Sequence, residues 1–433
     1  WSIFRMAGFI CLTTQATAQT DWNADIDFLK NELPYLHTNL FHTLPRNQYE
    51  LHLENLRTLN DHITDEAMTI KLQQLICRLG DSHTAITYQD KLDKLVLPFF
   101  VYYYKEGPVI TSEFDDHEAL LGNKLISING HSAGEIADSL GTLIVADNEN
   151  RLKYRLPYLM RSVALLRHFG FVRDDKKIEV ETENLYGIRT TVRLKPKVIN
   201  DLKNEDMDYV RFAKKKDKRP YSARNFSHTY KPETGTLYIL YNRAVSRETG
   251  SLCNPMDSVM KLDKCFRPMD DNSQSLPSFK PFADSVLYVI NNRPVTKIVV
   301  DLSKNTGGST MMGSLLIHSI ARLIKNKPET KVIGVIGRRT FSAGIIHALE
   351  LKRLLNATLI GETAGGLVNF YGGTEVRYLP GSCMPISYSR GYRRNVLDES
   401  KSGNQLIPDI LLTESFVDVV SGTDPVYEWI KNN

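Results

Sequence analysis

The stretch that most constrains this chain is KVIGVIGRRTFSAGIIHALELKRLLNATLIGETAGG, residues 331–366. Its apolar run at 332–337 has no polar alternation, as expected of a strand buried on both faces, and Ile345, Ile346, Leu349 and Leu351 then recur at helical spacing. A strand that runs into a helix after so few residues belongs in a sheet with crossover connections. Ser342 stands at the junction, lifted clear of the sheet where the first backbone N–H groups of a helix point outward. The same position suits a helix cap, a common role for serine. It is not the G-x-S-x-G elbow, because Thr340 occupies the place of the first glycine. A nucleophile at Ser342 therefore needs partners elsewhere.

The surrounding unit repeats the pattern. Strands are expected at 236–241, 297–302 and 357–361, with helices at 282–290 and 311–324. This alternation predicts a mostly parallel sheet, whose sites form beyond the carboxyl ends of the strands. Both Ser342 and the loop Ser303-Lys304-Asn305-Thr306-Gly307-Gly308 fall there. That loop matches neither common phosphate-binding glycine pattern. Its two glycines allow close backbone approach, so the amides of Gly307, Gly308 and Ala343 are candidate oxyanion donors.

Upstream, residues 21–79 carry helical periodicity and predict a small helical domain, ending in Gly80-Asp81-Ser82-His83-Thr84. Gly80 suits a helix end, and His83 then sits on a turn into an extended segment, well placed to face a cleft. A surface turn residue is the plainer alternative. His347, five residues after Ser342, is a rival base, but its apolar helical face suits a structural histidine. Strand-like and helical runs alternate across 95–197, a separate mixed α/β module. The polar segment 198–232 reads as a linker.

A net charge of +4 over 433 residues points to neither nucleic acid nor a membrane surface, and the one basic run, at 214–219, reads as a solvated loop. Arg5, the short apolar run 6–12 and Ala16-Thr17-Ala18 are the pattern of an export signal cleaved after Ala18. The run is too short to span a bilayer, so no stable membrane insertion is expected. Cys77, Cys253, Cys265 and Cys383 are widely spaced without a histidine cluster, which predicts no metal site. Cys253 and Cys265 suit a short disulfide loop, while Cys77 and Cys383 read as buried apolar residues.

Three ordered elements, Gly-Asp-Ser-His-Thr at 80–84, Asp-Leu-x-x-Asn-x-Gly-Gly at 301–308 and Thr-x-Ser-Ala at 340–343, together resemble the C-terminal processing (tail-specific) family of serine proteases. Ile360-Gly361-Glu362-Thr363, Ile407-Pro408-Asp409-Ile410 and the Ile-Asn-Gly segment ending at Gly130 extend the likeness over residues 75–430. Leu367 stands where one branch of that family has a dyad lysine, so the resemblance points to the tricorn-like branch instead. It implies an α/β fold: a crotonase/ClpP-like protease core at 236–433, a helical domain at 19–90, a PDZ-like mixed module at 91–200 and a linker at 201–235, behind a signal peptide at 1–18. Three departures stand out: Ser303, Thr306 and the lack of a PDZ peptide-binding glycine loop before Gly122.

By this resemblance Ser342 attacks the carbonyl, His83 carries the proton and Ser82 bridges to a distant carboxylate, Glu399 or its neighbour Asp398. The reading is a secreted or periplasmic serine endopeptidase acting on polypeptides, with no cofactor and no nucleic-acid partner. Nothing in the sequence sets an oligomeric state. The alternatives are a non-catalytic ligand- or peptide-binding protein on the same fold, and a crotonase-like acyl-CoA enzyme, against which the export signal and Ser342 weigh.

Overall fold

A six-stranded sheet holds the junction at Ser342. The computed structural model describes residues 20–88, 92, 94–114, 120–173, 177–202, 208–209, 219–250, 275–396 and 403–433. The export signal, Cys253, Cys265, most of the basic run, Asp398 and Glu399 lie outside them. Among the described residues the helices α1 (Trp22–Asn31), α2 (Arg46–Leu59) and α3 (Asp65–Cys77) come first. The middle of the chain forms strands β1 (Phe99–Tyr104), β2 (Gly107–Glu113), β3 (Lys124–Ile128), β4 (Ile178–Glu183) and β5 (Arg189–Leu194). Helices α4 (Ala133–Gly141), α5 (Glu149–Leu159) and α6 (Val163–His168) lie between β3 and β4. The stretch 156–166 is divided between two of these helices, because Ser162 turns its hydroxyl onto the Leu165 amide and caps a new one.

The third part contains β6 (Phe226–Lys231), β7 (Thr236–Tyr241), α7 (Phe279–Asn292), β8 (Lys297–Asp301), α8 (Met311–Ile324), β9 (Lys331–Ile336), α9 (Ala343–Leu355) and β10 (Thr358–Gly361). The hairpin β11 (Phe370–Tyr378) and β12 (Pro385–Arg393), the short strand β13 (Ile410–Leu411) and helices α10 (Phe416–Ser421) and α11 (Pro425–Asn432) follow. The sheet order is β6-β7-β8-β9-β10-β13, parallel throughout except for the antiparallel edge pair β6-β7. Both faces are covered, which is why β7 to β10 are apolar without alternation. Ile298, Val300 and Leu359 pack under α7, α8 and α9. Tyr238, Val299, Ile333 and Val335 pack against Val426 and Ile430 of α11.

The helices α1 to α3 and the middle sheet share one continuous apolar core, from Ile26 and Tyr49 to Ile128, Leu165 and Val180. Leu379, Met384, Ile386 and Tyr388 of the β11–β12 hairpin complete it. The two-residue strand Ala85–Ile86, just after His83, pairs antiparallel with Ile386 and Ser387 of β12. The turn carrying His83 is therefore held by the far end of the chain. Cys77 is a free, mostly buried thiol whose pKa burial pushes up to about 12. Cys383 departs from expectation: it is exposed and disulfide-bonded, not a buried apolar residue. No helix among the described residues is long and apolar enough to cross a membrane.

Candidate active site

Ser342 is the residue before α9, with φ 52° and ψ −119°. A non-glycine residue in such a conformation costs on the order of 1–3 kcal/mol and is held there by its surroundings. The turn before it supplies the hold. The Thr340 hydroxyl donates to the Leu302 carbonyl at 2.8 Å and accepts from the Gly337 amide at 3.0 Å, and the Thr340 amide donates to the Gly337 carbonyl. The glycine of a sharper elbow is replaced by a side chain that ties the turn to β8. Ser342 makes no side-chain cap bond to α9, so its hydroxyl is not spent in the commonest role for serine at this position.

The glycine loop packs against this turn. Asn305, fully buried, accepts the Phe341 amide on its carbonyl and donates Nδ2 to the Tyr241 carbonyl. Gly307 and Gly308 have φ of 104° and 128°. A Cβ on Gly307 would lie 2.8 Å from Ser342 Cβ and 3.3 Å from its Oγ; one on Gly308 would lie 2.2 Å from the Ala244 carbonyl oxygen. Only glycine fits either place. Of the three expected donors, the Gly307 amide is engaged by Asn305 Oδ1 at 2.9 Å. The amides of Gly308 and Ala343 take no acceptor among the described residues, and Ala343 adds the positive end of α9.

His83 reaches the same place from the other half of the chain. Its ring stacks on Phe341, centroids 4.6 Å apart, and on Phe370 at 5.5 Å. Its side chain is only 9% exposed, and neither ring nitrogen has a hydrogen-bond partner. The His83 ring thus lies against the side chain next to Ser342, and no hydrogen bond joins His83 to Ser342. Burial depresses the imidazole to about 4, with the Arg151 cation adding to the fall and Asp81 opposing it. At neutral pH His83 is an uncharged imidazole able to accept a proton.

Asp81 Oδ1 lies 4.0 Å from His83 Nδ1 and accepts the His83 backbone amide at 2.9 Å. Its Oδ2 meets His37 Nε2 at 2.9 Å and accepts the Thr84 hydroxyl at 2.6 Å. Because His37 Nδ1 accepts the Asn39 amide, its Nε2 carries the proton and donates it to Asp81. Burial would raise Asp81, but the bonds from His37, Thr84 and the His83 amide outweigh it and hold the carboxylate at about 2.

Ser82 donates its hydroxyl to Asp147 Oδ2 at 3.0 Å, an acid just before α5. Desolvation pushes Asp147 up to about 6 against the bonds and the Arg151 charge that lower it. Glu399 lies outside the described residues. Of the charged residues described on this turn and beside it, Asp81 is marked in the sequence only by its place inside the Gly-Asp-Ser-His-Thr motif, while Asp147 and Arg151 lie in a polar stretch that carries no site signal. Arg151 Cζ sits 3.9 Å over the Phe341 ring. Asn148 and Asn150 fix this end of α5 by donating to the carbonyls of Ala364 and Thr363. His347, the rival base, is fully buried, bonds to the Thr310 carbonyl through Nε2 and stacks on Tyr241. It braces α9 against α8. Among the described residues no group of three or more ligating side chains gathers to hold a metal.

No family model and no curated protein sequence matches the chain. Solved structures do. Mature CPAF complexed with lactacystin superposes with a TM-score of 0.61 at 11% identity, over 95% of this chain and 97% of that one. A serine-to-alanine mutant of CPAF gives 0.59 at 13% identity, over 93% and 94%. The photosystem II D1 C-terminal processing protease aligns at 0.41 and 11% identity, over 94% and 99%. With helices, sheets and the Ser342 junction in the order described, this chain has, along nearly its entire length, the mixed α/β fold of mature CPAF.

Proposed function

We propose that the protein is a serine endopeptidase of the C-terminal processing family, tricorn-like branch, exported to the periplasm or the medium. The observation that carries the reading is Ser342: a strained, uncapped hydroxyl at a helix N-terminus, against a glycine loop that admits no side chain, with the His83 ring one residue away across Phe341. The core at 236–433 is read as crotonase/ClpP-like and the middle module as PDZ-like.

In this reading Ser342 Oγ attacks the scissile carbonyl carbon while His83 takes the hydroxyl proton. The Gly308 and Ala343 amides hold the oxyanion, each such donor contributing about 3 to 4 kcal/mol to the transition state. Collapse breaks the C–N bond, and His83 returns the proton to the departing amine. Water then cleaves the acyl-enzyme by the same route. No hydrogen bond joins His83 to Ser342 at rest, so this step requires His83 to leave the Phe341 face. Asp81, facing Nδ1, stabilises the imidazolium formed on the way. Glu399 enters only on the resemblance, since the Ser82 hydroxyl is given to Asp147.

One observation favours a non-catalytic binding protein instead: both nitrogens of His83 are unpartnered. A fluorophosphonate probe separates the two. Covalent labelling lost in Ser342→Ala and His83→Ala, with casein hydrolysis lost in parallel, is the peptidase result. An unlabelled, folded protein is the binding result. Lactacystin, present in the CPAF complex, is a second probe of Ser342.

A further inference from the structure

A cavity of about 430 Å³ opens at the carboxyl ends of β8, β9 and β10, bounded by the loops at Ser303 and Lys304, at Gly337 to Arg339 and at Gly361 and Glu362. It is built on two of the elements that also carry the residues around Ser342. Arg339 is three residues before the serine on the same turn, and α5, which lays Arg151 over Phe341, lays Tyr154 and Tyr158 along the cavity one and two turns further on. Tyr102 and Tyr104 of β1 form the facing wall.

The charges in this cavity do not balance internally. Arg338 is committed to Glu362 and to the Tyr103 carbonyl, and Arg219 to Asp424 at 2.8 Å and Asp301 at 3.8 Å. Among the described residues Lys304 and Arg339 meet no carboxylate. Lys304 Nζ lies 4.2 Å over the Tyr221 ring and Arg339 Cζ 5.3 Å over Tyr154, while Arg339 Nε is buried without an acceptor. Among the described residues Glu414 is the other acid on the wall, and it has a partner of its own. A guanidinium donor left unsatisfied out of water is costly, and a ligand oxygen relieves that cost.

We propose that this cavity is a specificity pocket for a carboxylate of the polypeptide substrate, held by Lys304 and Arg339 between the tyrosine walls. The inference rests on the peptidase reading of Ser342 and extends it to substrate class. The carboxylate is that of an acidic side chain near the scissile bond. It brings two acceptor oxygens to a guanidinium fork.

The test uses matched fluorogenic peptides with Glu or Gln at each position around the cleaved bond, each made with a free and an amidated C-terminus. A preference of about tenfold or more in kcat/KM for Glu, equal to about 1.4 kcal/mol, is expected at one position. In Lys304→Gln and in Arg339→Gln that preference shrinks to about twofold or less, with the Gln peptide cleaved as before. A preference that tracks only the free terminus overturns the proposal. Equal cleavage of all peptides, or a preference that survives both variants, overturns the proposal. If no peptide is cleaved, fluorescence anisotropy of the same peptides on Ser342→Ala decides: charge-selective binding lost in Arg339→Gln upholds the pocket while the peptidase reading falls, and no selective binding removes the pocket too.

Discussion

The imidazole of His83 lies face to face with the ring of Phe341, centroids 4.6 Å apart and planes 24° from parallel. This stack spans two halves of the chain, and it sets the proposed base against the residue before Ser342 without a hydrogen bond to Ser342. A ring held by stacking is fixed in plane but free to slide, which suits a base that engages its partner as substrate arrives.

The depressed His83 basicity sets an expected pH profile. Because the base works only when unprotonated, kcat/KM should stay level to about pH 5 and fall with a midpoint near 4. Arg151→Met removes a cation that disfavours the imidazolium, so the acid limb should move upward by about half to one unit. Initial rates from pH 3.5 to 8 measure both midpoints; an acid limb near 6.5 in the parent protein would contradict the burial argument.

Stability against pH carries opposite contributions from two groups. Between about 6.5 and 4 the unfolded chain protonates His83 and the folded one does not, so this group makes stability fall as pH drops. Asp147, raised to about 6, binds its proton more readily when folded, so in the overlapping range it opposes that fall. Asp147→Asn removes the opposition. Urea unfolding at pH 6, 5 and 4 should show the steeper loss in the variant, by up to about 1.4 kcal/mol per pH unit.

Strain at Ser342 should be visible as stability. Ser342→Gly relieves a φ of 52° that glycine accepts freely, and is expected to gain about 1 kcal/mol while labelling and hydrolysis vanish. Urea titration reads the gain. A destabilised glycine variant would show that the hydroxyl contributes to the fold and not only to the site.

The glycine loop predicts a kinetic defect without a general loss of structure. Gly308→Ala drives a methyl to 2.2 Å from the Ala244 carbonyl, so the loop must shift and its amide leave the oxyanion position. A fall in kcat of about 10²–10³ is expected. Gly187→Ala, also at positive φ but facing open space, serves as control and should leave kcat unchanged.

The order of strands and helices around Ser342 was legible because each local pattern agrees with its place in the sheet. The helix α8 begins and ends where periodicity puts it, and β8 and β9 differ from expectation by a residue at their ends. What escaped notice was non-local. The segment of α5 around Arg151 reads Glu-Asn-Arg-Leu-Lys-Tyr-Arg, too polar to register as a core helix, since it packs on the glycine-rich turn at 363–366 through side-chain amides. The hairpin β11–β12 has mixed burial along β11 and no alternation to find, yet it supplies Phe370 to the His83 stack. Nothing near His83 in the chain announces a ring seated between two phenylalanines more than 250 residues downstream.

The hairpin's seat in the N-terminal core also orders events during synthesis. Leu379, Met384, Ile386 and Tyr388 fill space beside helices made long before them, and Ala85–Ile86 has no partner strand until Ile386 has left the ribosome. A nascent chain that ends before Tyr388 has neither a closed first core nor an anchored His83 turn. Whatever chemistry this serine performs is thereby withheld until that hairpin has emerged and docked.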